Sequence, residues 1–381
     1  MATITVDSVN RRAGRIVFVP EPAAAPDGVP NSREAHRALW LSSAGASMLL
    51  LDAPTHTPRA DEVVVRARAI AVNPIDAMGG IARRVVLPWL TYPAVIGSDV
   101  AGEIVAVGSS VSGLNVGDRV VGYAVGIERS RNSAEGAFQT HVVLLARLVS
   151  RLPETIPFAD ACVLPMGVTT AAAGLFEHDQ LALELPVACA TPRHQSVLVF
   201  GGATSVGMNA IQLAHGAGYS VLATASRSNF ELLERLGASV VVDYHDPDVV
   251  EQIIHHLSGQ QLAGTIAVAS GSLRQAIAVN ASPTVVGTRR VASAHPTPVT
   301  RMRAVLARRQ KIRVSAIWGG NPKDTPVGPA VWNDFLPDAL ASGTYSTSPS
   351  AVIVGHGLEA VPQALDRLRQ GARAQKFVVT L

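Results

Sequence analysis

The segment Val197-Leu-Val-Phe-Gly-Gly-Ala-Thr-Ser-Val-Gly207 constrains the fold of this chain more than any other. Its apolar run Val197–Phe200 suits a parallel strand covered on both faces. Gly201 and Gly202 permit a tight turn, and Gly207 lets the helix-like run Met208–Gly218 lie close to the strand. Strand, glycine turn and helix together hold a dinucleotide pyrophosphate, because helix N-terminal N–H groups point at the phosphates. End-aligned on Gly207, the pattern G-x-G-x-x-G reads Gly202-Ala203-Thr204-Ser205-Val206-Gly207, so Thr204 stands at the middle glycine. Its hydroxyl is read as available to the phosphates. A purely structural turn is the alternative, since such a motif alone is weak.

The following residues narrow the cofactor. Tyr219–Ala225 reads as the next strand and is followed by Ser226-Arg227-Ser228-Asn229, with no carboxylate. An acidic residue here would bind ribose hydroxyls and repel a 2′-phosphate; serine hydroxyls and a guanidinium bind that phosphate. This favours NADPH over NADH, the alternative being a polar turn with an exposed arginine. Phe230–Gly237 reads as an amphipathic helix stopped by glycine, and Ala238–Tyr244 as a third strand. The alternation is that of a doubly wound α/β sheet.

With 381 residues, 48% of them hydrophobic, the chain can build two domains. Its formal charge is +3, and its three lysines are far outnumbered by arginine. Arg301, Arg303, Arg308, Arg309, Lys311 and Arg313 form the one dense basic stretch. The plain reading is a solvated helix face, the functional one an anionic partner; no nucleic acid is expected. Cys162 and Cys189 are too few for a disulfide framework or a four-cysteine zinc site, so a reduced, cytoplasmic protein is expected. No 18-residue apolar span and no apolar signal core are read, so no membrane is expected. Residues 1–35 include the proline-rich Pro20–Pro30 and are expected to be a flexible extension. His178 and His215 have no partners at ligand spacing and are read as structural.

Residues 36–160 read as β-rich, with strands at His36–Leu41, Glu62–Ala71, Asp99–Val107 and Arg119–Val125. Asn73-Pro-Ile-Asp76, the glycine-rich block Gly97–Gly122, Gly136-Ala-Phe-Gln139, Pro165-Met-Gly-Val-Thr-Thr170 and the glycine turn follow one another in a definite order. With them the chain resembles the medium-chain dehydrogenase/reductase superfamily from about Ala38 to Leu381. The resemblance implies an α/β protein in which a Rossmann doubly wound nucleotide-binding domain, 166–316, is inserted into a β-rich GroES-like substrate domain, 36–165 plus 317–381.

Zinc-dependent members of that family carry Cys, His and Cys at three segments. Here the matching positions are Asn73, Ser98 and Met166, none a usual zinc ligand. No metal is therefore expected, nor a Lewis acid to polarise an alcohol or ketone. The zinc-independent members reduce activated C=C bonds, and this chain is similar to their trans-acting enoyl reductase and quinone oxidoreductase-like branch. The resemblance then implies hydride transfer from NADPH to an enoyl thioester or enone, with a quinone reductase as its variant. A non-catalytic NADPH-binding sensor or structural protein stays open. The partner would be a small-molecule or carrier-bound enoyl substrate, with a polyketide-type synthase and a monomer or homodimer also in view.

By the same resemblance Ala203, Thr204, Ser205 and Val206 touch the pyrophosphate, and Ser226, Arg227, Ser228 and Asn229 the 2′-phosphate. Tyr244 touches the adenosine end. Asn73, with Pro74, Ile75 and Asp76, lies near the nicotinamide ribose and is the candidate catalytic residue; Thr170 lies beside the nicotinamide. Gln375 and Lys376 reach back to the cofactor. Tyr244 as a strand-end tyrosine, Thr170 as a helix residue and Lys376 as a surface charge are the plain alternatives. Tyr92 and Tyr123 are proton-donor candidates by residue type alone, and water is the other source. Arg131, Phe138, Trp318 and Trp332 either shape specificity or serve core and loop.

Overall fold

A computed structural model describes residues 36–294 and 298–381; the proposed extension 1–35 lies outside them. The ten-residue strand Glu62–Ala71, almost wholly buried, organises the first half of the chain. It pairs antiparallel with Asp99–Val107, with His141–Leu145 and with the C-terminal strand Gln375–Thr380. The main path of this seven-stranded sheet runs Ser350–His356, Gln375–Thr380, Glu62–Ala71, Asp99–Val107, Arg119–Tyr123, Val149–Arg151, with His141–Leu145 paired off it to Glu62–Ala71. The last strands of the chain thus return to the first domain, and Leu381 donates its N–H to Arg68 O at 2.9 Å. A smaller sheet of Met48–Asp52, Arg37–Leu41 and Ala94–Val95 packs alongside.

Between these parts lies an all-parallel sheet in the order Val240–Asp243, Ser220–Ala225, Gln195–Phe200, Gln261–Ala267, Arg290–Ser293, Arg313–Ala316. Its central strand carries Val197, Leu198, Val199 and Phe200, all at most 1% exposed, as a doubly covered strand requires. Gly201 has φ +86°, open to glycine at little steric cost. A Cβ on Gly207 would stand 2.2 Å from Gly201 O, so only glycine lets the helix Ser205–Gly216 seat on the turn. The helix starts earlier than the apolar run Met208–Gly218 suggested, because Thr204 caps it.

One expectation is corrected. Phe158–Phe176, 19 residues of mean hydropathy 1.4, is long and apolar enough to count as a membrane-span candidate. In the fold it is two helices, Phe158–Ala161 and Pro165–Phe176, the second opened by a proline at its first turn. Val168, Ala171, Ala172 and Leu175 are at most 1% exposed, so its apolar surface is used in the core.

Candidate cofactor and substrate site

A cleft of about 1480 Å³ opens at the carboxyl ends of the parallel strands, where sheets of this kind bind ligands. It exceeds the ~300–1,000 Å³ of sites for drug-sized ligands and suits an extended dinucleotide. Ala203 and Thr204 line it, as do Ser226, Ser228 and Asn229 of the next turn and Tyr244 beyond the third strand. Tyr244 is 48% exposed, at the rim. Arg274 and Arg373 also line it; the sequence reading missed both because neither belongs to a motif.

The turn differs from expectation in one atom. Thr204 Oγ1 accepts the Gly207 N–H at 3.0 Å and donates to Gly201 O at 2.8 Å, so the hydroxyl read as available to phosphate is the helix cap. What the turn offers an anion is backbone: the N–H groups of Ser205 and Val206 open the helix and have no intrahelical acceptor. The Ser205 hydroxyl faces Gly167 of the neighbouring helix instead, and Val206 packs on the core. Thr204→Ala is expected to cost about 1 kcal/mol, and Thr204→Ser to restore most of it, in urea unfolding midpoints.

Arg227 is 76% exposed and is paired with Asp243 at 3.3 Å and Asp246 at 3.6 Å. The backbone N–H of His245, its ring and Arg227 together hold the Asp243 carboxyl below the ordinary carboxylate range. A 2′-phosphate on Arg227 must therefore compete with two carboxylates from the end of the third strand. The sequence reading looked for an acid only after the second strand and missed them.

The three segments that carry metal ligands in zinc-dependent members meet around one buried carboxylate. Asp99, fully buried, accepts the Met166 N–H at 2.6 Å, the Asn73 side-chain amide at 2.8 Å and the Lys376 ammonium at 2.5 Å. Lys376 is 5% exposed and also donates to Val163 O at 2.9 Å. It is no surface charge, and its ammonium points into this hub; Gln375 beside it is exposed. Ser98 is buried next to Asp99. Amide, hydroxyl and thioether are poor zinc donors, and among the described residues no three His, Cys, Asp or Glu side chains come together as a metal site. The residues present do not fit zinc.

Asp76 braces Asn73 from behind by accepting its backbone N–H at 2.9 Å. Burial, reinforced by nearby Asp99, raises its carboxyl to about 7, against the Asn73 N–H, Lys376 and Arg83. On the other side, Tyr123 donates its O–H to Glu128 Oε1 at 3.2 Å, and Trp318 Nε1 donates to Oε2 at 2.7 Å. Burial raises both the Glu128 carboxyl and the Tyr123 phenol. Gly319 and Gly320 make this packing possible: Cβ atoms there would stand 2.5 Å from Thr170 Oγ1 and 2.0 Å from Glu128 Oε1. Thr170, Trp318, Glu128 and Tyr123 are thereby joined; Glu128 carried no motif and was missed. Trp332 and Phe138 belong to the core, Arg131 pairs with Glu135 at 3.0 Å, and Tyr92 is half-buried against the first domain.

Comparison with known proteins agrees with this architecture. Residues 59–154 match the alcohol dehydrogenase GroES-like domain, and residues 205–329 the zinc-binding dehydrogenase family. Dehydrogenase pigH of Monascus ruber is 40% identical over 368 residues, covering 91% of this chain and 99% of the relative. Trans-enoyl reductase himH of Aspergillus japonicus is 34% identical over 332 residues, covering 84% and 90%. The solved structure of an alcohol dehydrogenase superfamily protein from Novosphingobium aromaticivorans superposes with TM-score 0.69 at 24% identity, over 91% of this chain and 99% of that one. A GroES-like domain that carries an inserted Rossmann sheet, matched nearly end to end by dehydrogenases, places this chain in the medium-chain dehydrogenase/reductase superfamily, as an oxidoreductase with a nicotinamide cofactor.

Proposed function

We propose that the protein is an NADPH-dependent reductase that adds hydride to the β-carbon of an activated C=C bond, in an enoyl thioester or enone, without a metal. The observation that carries this is the Asp99–Lys376 pair seated among Asn73, Ser98 and Met166, where a zinc-dependent member needs ligands. A conjugated alkene is already polarised by its carbonyl, so positioning and exclusion of water suffice. The 34%-identical relative named a trans-enoyl reductase supports the same chemistry. We take 36–165 with 317–381 as the substrate domain and 166–316 as the nucleotide domain, and a carrier-bound substrate from a polyketide-type synthase as the natural one.

The reduced nicotinamide supplies the hydride when bound. The chain's part is placement. The Ser205 and Val206 amides take the pyrophosphate. Ser226, Ser228 and Asn229 take the 2′-phosphate together with Arg227, released from Asp243 and Asp246. Tyr244 lies against the adenosine end, and Asn73, held by Asp99 and Asp76, orients the nicotinamide ribose. Thr170 keeps one face of the nicotinamide.

NADPH should bind at least about tenfold more tightly than NADH, worth roughly 1.4 kcal/mol, and Ser226→Asp should reverse the order. Consumption of NADPH with crotonyl thioesters, enones and quinones, with and without chelator, tests the reaction. Turnover on enoyl thioester or enone that resists chelation is the expected result. Turnover restricted to quinones, or abolished by chelation, would sink this reading.

A further inference from the structure

The helix Pro298–Ala307 presents an apolar stripe to solvent. Val299, Met302, Val305 and Leu306 are 51%, 60%, 62% and 49% exposed. At about 100° per residue these four fall on one outward arc, with Arg301 on one flank and Arg303 on the other. Ala307, on the opposite side, is 3% exposed and holds the helix to the body. Arg308, Arg309, Lys311 and Arg313 continue the charge, and residues 298–316 contain no Asp or Glu. Six cations in this short stretch outweigh the whole chain's net +3, so the charge is concentrated here.

The position matters as much as the composition. The helix follows the strand Arg290–Ser293, whose end is level with the end of Arg313–Ala316. Two residues beyond Ala316 stands Trp318, on Glu128. The stripe therefore belongs to the connection between the last two strands of the parallel sheet, and the second of these leads directly to Trp318.

We infer that this stripe is the docking face for an acidic carrier domain that holds the enoyl thioester covalently. The inference rests on the C=C reductase reading and names the partner that reading needs. A helix face with an apolar centre and cationic flanks is complementary to an acidic helical surface with an apolar seam. A second copy of this chain fits poorly, because a two-fold contact would set the same cationic segment against itself. A lipid surface fits poorly, because the helix has only ten residues and carries no aromatic side chain.

The test compares crotonyl thioester on an acidic acyl carrier protein with the same thioester on N-acetylcysteamine. Met302→Glu/Val305→Glu and Arg301→Glu/Arg303→Glu should each lower kcat/KM for the carrier-bound substrate at least about tenfold and leave the free thioester unchanged. Binding of unloaded carrier, followed by anisotropy, should weaken as salt shortens the reach of the charges. Arg301→Gln/Arg303→Gln, a milder pair, should fall between. An equal change on both substrates, or none on either, overturns the docking face. So does pelleting with anionic vesicles, or a dimer, that the variants abolish. Carrier binding that is lost on deleting residues 1–35 and is indifferent to the stripe variants would place the docking surface on that segment and overturn it too. Absence of NADPH consumption on every enoyl substrate defeats the C=C reading alone; salt-sensitive carrier binding that the variants abolish still supports the docking face.

Discussion

Lys376→Met is expected to destabilise the protein by about 3–5 kcal/mol, the range for breaking a buried ion pair by removing one partner. The reason is what stays behind. Asp99 is fully buried and keeps only the Asn73 amide and Met166 N–H once the ammonium is gone. A carboxylate out of water with two neutral donors is costly. Asp99→Asn in the same background should recover much of the loss, because an amide retains the geometry without the charge. The double variant thus separates the charge penalty from lost packing. Urea unfolding of the four proteins gives the cycle. A Lys376→Met loss under about 1 kcal/mol, with no recovery in the double variant, would falsify the hub as described.

Asp76→Asn should flatten the pH dependence of stability. Unfolded, Asp76 releases its proton near 3.8; folded, it holds it to about 7. Between those values the folded protein keeps a proton that the unfolded chain has lost, so this group's contribution is complete below about pH 4 and is lost as pH rises through 7. At pH 8 the variant should exceed the native protein by as much as about 4 kcal/mol, at about 1.36 kcal/mol per unit, and at pH 4 the two should match. His36 runs the other way. Burial depresses its imidazole to about 4, so its contribution is present above 6.5 and fades as pH falls towards 4. Subtracting the two curves cancels His36 and leaves Asp76. A pH-independent difference would overturn the assignment.

What the sequence disclosed and what it hid follow one physical divide. Gly201, Gly207 and the strand Val197–Phe200 were legible because local sterics and periodicity dictate them. Asn73, Ser98 and Met166 were legible as a set because each departs from a ligand pattern at a fixed segment. Partnerships between distant segments were not. Nothing local to Lys376 announces that it meets Asp99, nor does anything local to Glu128 announce Tyr123 and Trp318. Arg227 looked like an uncommitted cation because Asp243 and Asp246 reach it only once the second and third strands lie side by side. The Thr204 hydroxyl read as a phosphate ligand because capping depends on backbone direction, which a residue pattern does not specify.

The closing position of the strand Gln375–Thr380 has a consequence for biosynthesis. The parallel sheet is built from one continuous stretch of chain and can assemble as soon as that stretch leaves the ribosome. The mixed sheet of the first domain cannot. Its long strand Glu62–Ala71 pairs early with Asp99–Val107 and His141–Leu145 but gains Gln375–Thr380 only after the whole parallel sheet has been made, and Asp99 waits equally long for its counter-charge. A nascent chain stalled before Arg373 and Lys376 would hold a finished parallel sheet, but its nucleotide cleft would lack Arg373 and its buried Asp99 would lack a counter-charge, so both sites wait on the same late segment.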